Sequence, residues 1–298
     1  MTTFFSKNRK WIGYTVYCVV VTGVFLYVLF PSDAIRDYLQ MRAQDLTPPL
    51  MVSVDRIKPW PPYSLRCGQT KVSFLDRPKE MLFTANSVVV RPVPTSLLKG
   101  NWAWCFNCKT YGGRITGCTD YETTDRDGRF RTKIEFEAIR IGKHEHLRNL
   151  VGRSVDGILN GTVSYSGTRE SPLNGAGEAS LELVDGKIEL LSPILTLESV
   201  EYNELTIGMA LKGDMLNLMR FELEGPLLKG SLSGTIRLRK ELQESRLDLK
   251  GRIEPFAAFF EKAEGAEGIL KFLRRKLRKG TLPFSIRGTL EKPTLTFM

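Results

Sequence analysis

The chain has 298 residues, 42% of them hydrophobic and 26% charged, a composition that is typical of globular proteins and excludes an intrinsically disordered one. This length allows one large domain or two ordinary ones. Lys and Arg outnumber Asp and Glu by 43 to 33, and a net charge of +10 favours anionic partners, either a phospholipid surface or a nucleic acid.

An uncharged, mostly apolar block covers residues 11–30, which is close to the ~20 residues that an α-helix needs to cross a bilayer. A cleaved signal peptide and a buried helix are the alternatives. The block ends in Leu29-Phe30-Pro31, a poor cleavage site, so a retained transmembrane helix is favoured.

Three cations, Lys7, Arg9 and Lys10, precede this block, whereas acidic and basic residues are mixed after it. Because cationic excess marks the cytoplasmic side of a span, residues 1–10 are predicted to be a cytoplasmic tail. Residues 31–298 then lie across the membrane, which for a bacterial inner membrane means the periplasm. Nucleic acid is excluded as a partner by this topology.

The chain between the block and residue 150 predicts a short helix over residues 31–45, a proline-rich entry segment, and several short strands. Asp127-Gly128 has the composition of a hairpin turn, and Thr132, Ile134 and Phe136 alternate with charged residues beyond it. A short helix is predicted over residues 143–151.

From residue 151 to 298 the alternation of apolar and polar residues recurs segment after segment, with turn residues between the segments. Side chains of a strand point alternately to its two faces, so each segment is predicted to be a strand that is apolar on one side and wet on the other. Strands of this kind joined by short turns are typical of antiparallel sheets. The predicted fold class is therefore mainly β: an N-terminal transmembrane helix, a large curved antiparallel sheet, a few short helices and one amphipathic helix near the C-terminus.

One set of residues falls on the predicted apolar face, and these are the candidates for contact with a lipid: Leu159, Gly161, Val163, Leu181, Leu183, Ile207, Met209, Phe221, Leu232, Gly234, Ile236, Leu249, Gly251 and Gly288. In three similar segments the glycine, Gly161, Gly234 or Gly288, is followed by Thr. Either the sheet simply reuses this pattern, or glycine leaves room for strong curvature or for something other than a side chain.

Residues 255–279 form the only long helical candidate after the N-terminal block. Its C-terminal half carries a basic face: Lys271, Arg274, Arg275, Lys276, Arg278 and Lys279. Such a segment can lie on anionic lipid. An ordinary helix that covers one end of the sheet and keeps its cations in water is the favoured alternative.

Material for catalysis is poor, so no enzyme activity and no cofactor are predicted. The two histidines, His144 and His146, do not share a helix face, and no nucleotide-binding, hydrolase or metalloprotease motif is present. Four cysteines, Cys67, Cys105, Cys108 and Cys118, follow the predicted span. In an oxidising compartment they favour one or two disulfides, and free thiols or a four-cysteine zinc site are the alternatives.

Three short motifs resemble the type II secretion system protein N, in the delta-proteobacterial form of the AsmA-like superfamily. They are Phe30-Pro31-Ser32-Asp33-Ala34-Ile35-Arg36, Tyr111-Gly112-Gly113-Arg114-Ile115 and Arg287-Gly288-Thr289-Leu290-Glu291-Lys292-Pro293-Thr294-Leu295. The last motif also looks like the endings of AsmA-like proteins, whose inner-membrane helix precedes a periplasmic, trough-shaped β-sheet. The four cysteines belong to no pattern of that family.

The resemblance implies a non-enzymatic accessory component of the type II secretion system, bound to its inner-membrane components. The alternative is an envelope protein that holds the acyl chains of inner-membrane phospholipids in an apolar β-trough. In either case the apolar face needs a cover, so the sheet must curl, pair with a second copy of the chain, or take in a guest.

Overall fold

The computed structural model describes residues 4–45, 50–61, 63–76, 78, 81–98, 100–122, 128–143, 155–168, 174–194, 197–239, 241–262, 277 and 280–298. Within these ranges the α-helices are α1 (Phe4–Val28), α2 (Ser32–Gln44), α3 (Pro94–Leu97) and α4 (Ala257–Lys262). Two 3-10 turns cover Ile141–Lys143 and Leu242–Glu244.

Most of the described chain is strand. The strands are β1 (Leu50–Val54), β2 (Ile57–Trp60), β3 (Ser64–Cys67), β4 (Thr70–Phe74), β5 (Met81–Ala85), β6 (Ser87–Pro92), β7 (Asn101–Thr110), β8 (Gly113–Glu122) and β9 (Arg129–Arg140). They continue as β10 (Val155–Thr168), β11 (Ala176–Ile194), β12 (Leu197–Lys212), β13 (Met215–Glu224), β14 (Leu228–Arg237), β15 (Arg246–Pro255), β16 (Leu282–Thr289) and β17 (Pro293–Phe297).

Fourteen of these strands form one sheet, in the order β17-β16-β15-β14-β13-β12-β11-β10-β9-β8-β7-β6-β3-β2. The remaining three form a small sheet in the order β1-β4-β5. Neighbouring strands of the large sheet pair antiparallel throughout, as between β9 and β10 or between β14 and β15. The predicted mainly β fold with a large antiparallel sheet is therefore confirmed. The small sheet was not foreseen.

The alternation that predicts these strands is visible in their burial. In β9, Thr132, Ile134 and Phe136 are half-buried, whereas Lys133 and Glu135 between them are exposed. Exposed residues alternate in the same way with buried or half-buried residues along β11 and β15. These three strands thus bury one face and expose the other to solvent, as their sequences require.

The small sheet is fastened to one end of the large sheet through the turn between β7 and β8. Tyr111 adopts a positive φ of 48° in this turn, and Gly112 follows with a φ of 80°. The backbone N–H of Thr84 in β5 donates a hydrogen bond to the Tyr111 hydroxyl at 3.0 Å. The Phe83 and Tyr111 rings meet edge to face with their centroids 6.1 Å apart. Helix α2 also packs at this end, where the Arg36 guanidinium donates a hydrogen bond to the carbonyl of Asp55 at 3.1 Å.

Two details of the predicted strands are wrong, and both are β-bulges. The dipeptide Asp-Gly is typical of hairpin turns, which predicts a turn at Asp185-Gly186. The dipeptide instead lies inside β11, where Asp185 has a φ of 51° and the register to β10 shifts. Regular alternation with Phe221 and Leu223 predicts that Met219 lies on the apolar face. The register shift between β12 and β13 instead leaves Met219 62% exposed and turns Leu218 inward. One extra residue in a strand reverses the alternation beyond it.

Among the helices that the structure describes, none combines the length and the apolar character that a membrane crossing requires. The transmembrane helix predicted over residues 11–30 therefore stays a prediction. Of the amphipathic helix predicted over residues 255–279, the structure describes α4. The basic residues assigned to its wet face, from Lys271 to Lys279, lie outside the described residues.

Candidate functional site

A single row of apolar residues and glycines crosses the whole large sheet, with one residue from each of its fourteen strands. We call it the apolar row. Its members pair across the strands as Pro59, Leu65, Val90, Phe106, Gly117, Ile134, Val163, Ala179, Met209, Leu218, Gly234, Leu249, Ile286 and Leu295. Because neighbouring strands lie about 4.8 Å apart, the row runs roughly 60 Å across the sheet.

Most members of the apolar row keep part of their surface accessible. Leu218 and Leu249 are buried at 8% and 5% exposure, but Val163, Met209 and Ile286, like most of the row, are only half-buried. A second sheet packed about 10 Å away would bury these side chains. No such layer lies over the row in the described part of the chain.

All the candidate lipid-contact residues predicted from the sequence lie on the face that carries this row. Of these, Leu183 and Leu249 are buried and Gly288 is exposed. The others are half-buried: Leu159, Gly161, Val163, Leu181, Ile207, Met209, Phe221, Leu232, Gly234, Ile236 and Gly251. Their contact with a ligand stays a prediction.

Glycines on this face are covered by aromatic rings from the neighbouring strand. A Cβ at Gly117 would lie 2.6 Å from the Phe106 ring, and one at Gly251 would lie 2.5 Å from the Phe284 ring. The space left by these two glycines is therefore filled by a side chain of the protein.

At Gly161 and Gly234 it is the backbone geometry that requires glycine. Their φ angles are +143° and +141°, in a region that other residues rarely adopt. A Cβ at Gly234 would lie 2.3 Å from the carbonyl oxygen of Asp248 on the next strand. Glycine is required here because the two backbones approach closely.

One end of the face, which we call the closed end, is filled by a hydrophobic cluster. Leu205, Leu223 and Leu282 of three strands pack there with Phe259 of α4, which is 2% exposed. Tyr202 joins the cluster and donates a hydrogen bond from its hydroxyl to the carbonyl of Asp156 at 2.6 Å. Burial, together with the nearby Asp156 carboxylate, raises the pKa of Tyr202 to about 12. The phenol therefore stays neutral at any physiological pH.

The opposite end carries a set of aromatic side chains, which we call the aromatic end: Trp102, Trp104, Tyr121, Phe130 and Tyr165. The Trp102 and Trp104 rings stack with centroids 6.5 Å apart, and Phe130 lies 6.0 Å from both Tyr121 and Tyr165. Trp102, Trp104 and Tyr121 are 48%, 40% and 43% exposed. Sequence reasoning missed this cluster. Its only signal was the spacing Trp102-x-Trp104, which puts both rings on one face of a strand.

Four of the five cysteines lie in the large sheet, on strands β3, β7 and β8. Cys105 and Cys118 are directly opposite each other on β7 and β8 and form a disulfide with 4.0 Å between their Cα atoms. This bond lies on the polar face, because the neighbouring Phe106 points to the apolar row.

Cys67 and Cys108 are free thiols, as is Cys18. Both Cys67 and Cys108 pair with Val88 on the strand between them, which separates their Cα atoms by two strand spacings, or about 10 Å. A disulfide tolerates at most about 7 Å, so these two cannot be bridged in this sheet. Burial raises the pKa of Cys67 and raises that of Cys108 to about 11, so both thiols are weak nucleophiles.

Groups of three or more His, Cys, Asp or Glu side chains that could hold a metal ion are absent from the part of the chain that the structure describes. His144 and His146 lie outside it. The residues of the apolar row itself are hydrocarbon side chains, a thioether and glycines.

Comparison with known proteins leaves the family open. No family model, curated protein or solved structure matches the chain. The motifs that resemble protein N lie at turns: Tyr111 and Gly112 form the β7–β8 turn, and the Lys292 N–H donates to the Thr289 hydroxyl at 3.1 Å in the β16–β17 hairpin. The resemblance to protein N therefore stays a prediction.

Proposed function

We propose that this chain is a non-enzymatic, membrane-anchored protein of the bacterial envelope whose large sheet holds the acyl chains of phospholipids along its apolar face. The observation that carries this proposal is the apolar row, which crosses all fourteen strands and keeps much of its surface accessible. In this proposal the sheet is a trough of the AsmA-like kind.

The energetics favour hydrocarbon as the guest. Each methylene group that leaves water for an apolar surface contributes about 0.8 kcal/mol, so a chain of many methylenes gains substantial free energy on a face roughly 60 Å long. Extended patches of exposed apolar surface are uncommon on soluble monomers and mark binding surfaces.

The two ends of the face suggest where a lipid enters. Phe259 and the leucines around it fill the closed end, and the aromatic end has no comparable cover among the described residues. Trp and Tyr side chains suit the boundary between hydrocarbon and water, because each has an apolar body and a polar tip. We therefore assign lipid entry to the aromatic end.

Two observations support an anchored protein outside the cytoplasm. The apolar side chains of α1 are exposed, among them Trp11 at 72%, Val19 at 66% and Phe25 at 59%. The Cys105–Cys118 disulfide is typical of oxidising compartments such as the periplasm. The proposed arrangement has residues 1–10 in the cytoplasm, residues 11–30 in the inner membrane and the sheet in the periplasm.

A second candidate function is that of an accessory component of the type II secretion system. One observation favours it: β17 ends the order of the large sheet, and its residues Pro293 to Thr296 are exposed. An exposed edge strand can pair with a strand of another subunit or of a second copy of the chain.

Site-specific photo-crosslinking tests the main proposal in living cells. A photoreactive phenylalanine derivative replaces Ile207 or Leu232, which are half-buried on the apolar face. The matched control replaces Lys250, which is exposed on the polar face of β15. After irradiation, mass spectrometry of the purified chain identifies the adducts. We expect phospholipid adducts at the two apolar positions and none at Lys250.

Adducts to a secretion-system protein at the same positions, without lipid, would support the second candidate instead. Equal lipid labelling at Ile207 and Lys250 would refute the proposal, since it would reflect general contact with membrane and not a face of the sheet.

A further inference from the structure

A second site lies on the polar face of the large sheet, over the strands from β2 and β3 to β9. It is a groove of about 1060 Å³. Grooves and clefts that hold small molecules have volumes of roughly 300–1,000 Å³, so this one is large enough for an organic ligand.

The floor of the groove is apolar although it belongs to the wet face. The disulfide between Cys105 and Cys118 lies in this floor beside Val89, and Trp60 and the segment from Pro92 to Pro94 line its walls. A disulfide is a covalent bond between β7 and β8, so the floor cannot spread when a ligand binds.

Cations flank the disulfide on both sides. Arg91 of β6 pairs with Cys105, and Lys133 of β9 pairs with Cys118, so the register places the bond between two positive side chains. Arg66 and Lys109 add two more cations to the lining.

Negative charge in the groove is small by comparison. Among the described residues of the lining, Glu135 is the one acidic residue, and its carboxylate lies 2.8 Å from the Lys133 ammonium. Arg91 and Lys109 make no ion pair with any residue in the described ranges. The groove therefore offers at least two uncompensated cations above an apolar floor.

Arg66 is held in place by an aromatic ring. Its guanidinium carbon lies 5.1 Å from the centre of the Trp60 ring, the geometry of a cation–π contact. Stacking uses the flat face of the guanidinium and leaves the N–H groups on its edge free to donate to a carboxylate or phosphate.

We propose that this groove binds a small, water-soluble organic anion, a carboxylate or phosphate that carries an apolar or aromatic body. Arg66 and Arg91 hold the anionic group, and the disulfide, Val89 and the Trp60 ring contact the body. This site does not depend on the proposed lipid function, because it lies on the opposite face of the sheet.

Isothermal titration of the full chain with 1-naphthyl phosphate tests the proposal, with inorganic phosphate and neutral 1-naphthol as parallel ligands. We expect 1-naphthyl phosphate to bind at one site per chain. Because charge-assisted hydrogen bonds contribute strongly, the double variant R66A/R91A should bind it about tenfold more weakly or worse. The control variant K250A removes a cation from the same face of a distant strand and should bind as the unaltered chain does.

Three results would overturn the inference. The first is equal affinity of R66A/R91A and K250A for 1-naphthyl phosphate. The second is equal affinity of the chain for inorganic phosphate, since the apolar floor would then contribute nothing. The third is equal affinity for 1-naphthol, since the cations would then contribute nothing. Circular dichroism of each variant verifies that the sheet is intact, and all the replaced side chains are exposed.

Discussion

Two glycines of β14, Gly230 and Gly234, lie on the same apolar face and provide a matched test of the geometry of the sheet. At Gly234 the φ angle is +141°, and a Cβ would lie 2.3 Å from the Asp248 carbonyl oxygen and 2.9 Å from the Leu249 Cα. At Gly230 the nearest atom to an added Cβ is 3.8 Å away, which is ordinary contact.

We expect the variant Gly234→Ala to lower the free energy of unfolding by about 2–4 kcal/mol, because the strained φ alone costs about 1–3 kcal/mol and the clashing atoms are backbone. Gly230→Ala should be neutral or stabilise by up to about 1 kcal/mol, because alanine reduces the entropy of the unfolded chain. Urea unfolding of the full chain, followed by circular dichroism, measures both. Equal stability of the two variants would refute the close approach of β14 and β15 at Gly234, and with it the explanation given above for the glycine at this position.

Two further predictions concern side chains of the sheet. A thiol assay of the denatured, unreduced chain should find three thiols, those of Cys18, Cys67 and Cys108, and five after reduction; any other number before reduction contradicts the assigned pairing. Tyr202→Phe should make the stability of the protein less dependent on alkaline pH. The folded-state pKa of Tyr202, about 12, is above the usual value of about 10, so its contribution is complete below pH ~10 and is lost as the pH rises towards 12. A stability difference between the two proteins that stays constant from pH 9 to pH 12 would contradict this reasoning.

The strands of the large sheet could be predicted because their chemistry is local. Alternation such as Thr132, Ile134 and Phe136 against Lys133 and Glu135 depends only on the geometry of a single strand. It sorts residues correctly onto two faces wherever the strand is regular. The alternation also predicts antiparallel pairing, because strands with one apolar and one solvent-exposed face that are joined by short turns have few other ways to pair.

The bulges could not be predicted because they are properties of strand pairs. In the sequence, Met219 and Phe221 are separated by the polar Arg220, so simple alternation would place both apolar side chains on one face. Only the pairing of β13 with β12 shows that Met219 is an extra residue. At another bulge, the Ala138 N–H that the ladder leaves unpaired donates to the Asn160 side chain at 2.8 Å, on the neighbouring strand. Such a partner is remote in the sequence, so local pattern does not reveal it.

The cysteines illustrate the same limit. Four cysteines allow three full pairings, and no spacing rule chooses between them. The strand register determines the pairing, because Cys105 is opposite Cys118, whereas Val88 lies between Cys67 and Cys108. The register also places the disulfide on the polar face. Because of this position, the bond forms part of the floor of the groove.

Register also decides how far the apolar face extends. The sequence shows regular alternation from residue 151 onward, and the short strands before it, with Pro59, Val90 and Phe106, give only fragments of the pattern. Aligned in the sheet, these residues continue the row that begins at Leu295, so that the face spans fourteen strands.

A face that spans fourteen strands is too large for one short helix to cover. One short helix, α4, fills the closed end, but the aromatic end is built by β7 to β10, far along the sheet from α4 in strand order. Cover for that end must therefore come from a ligand, from a partner, or from chain outside the described residues.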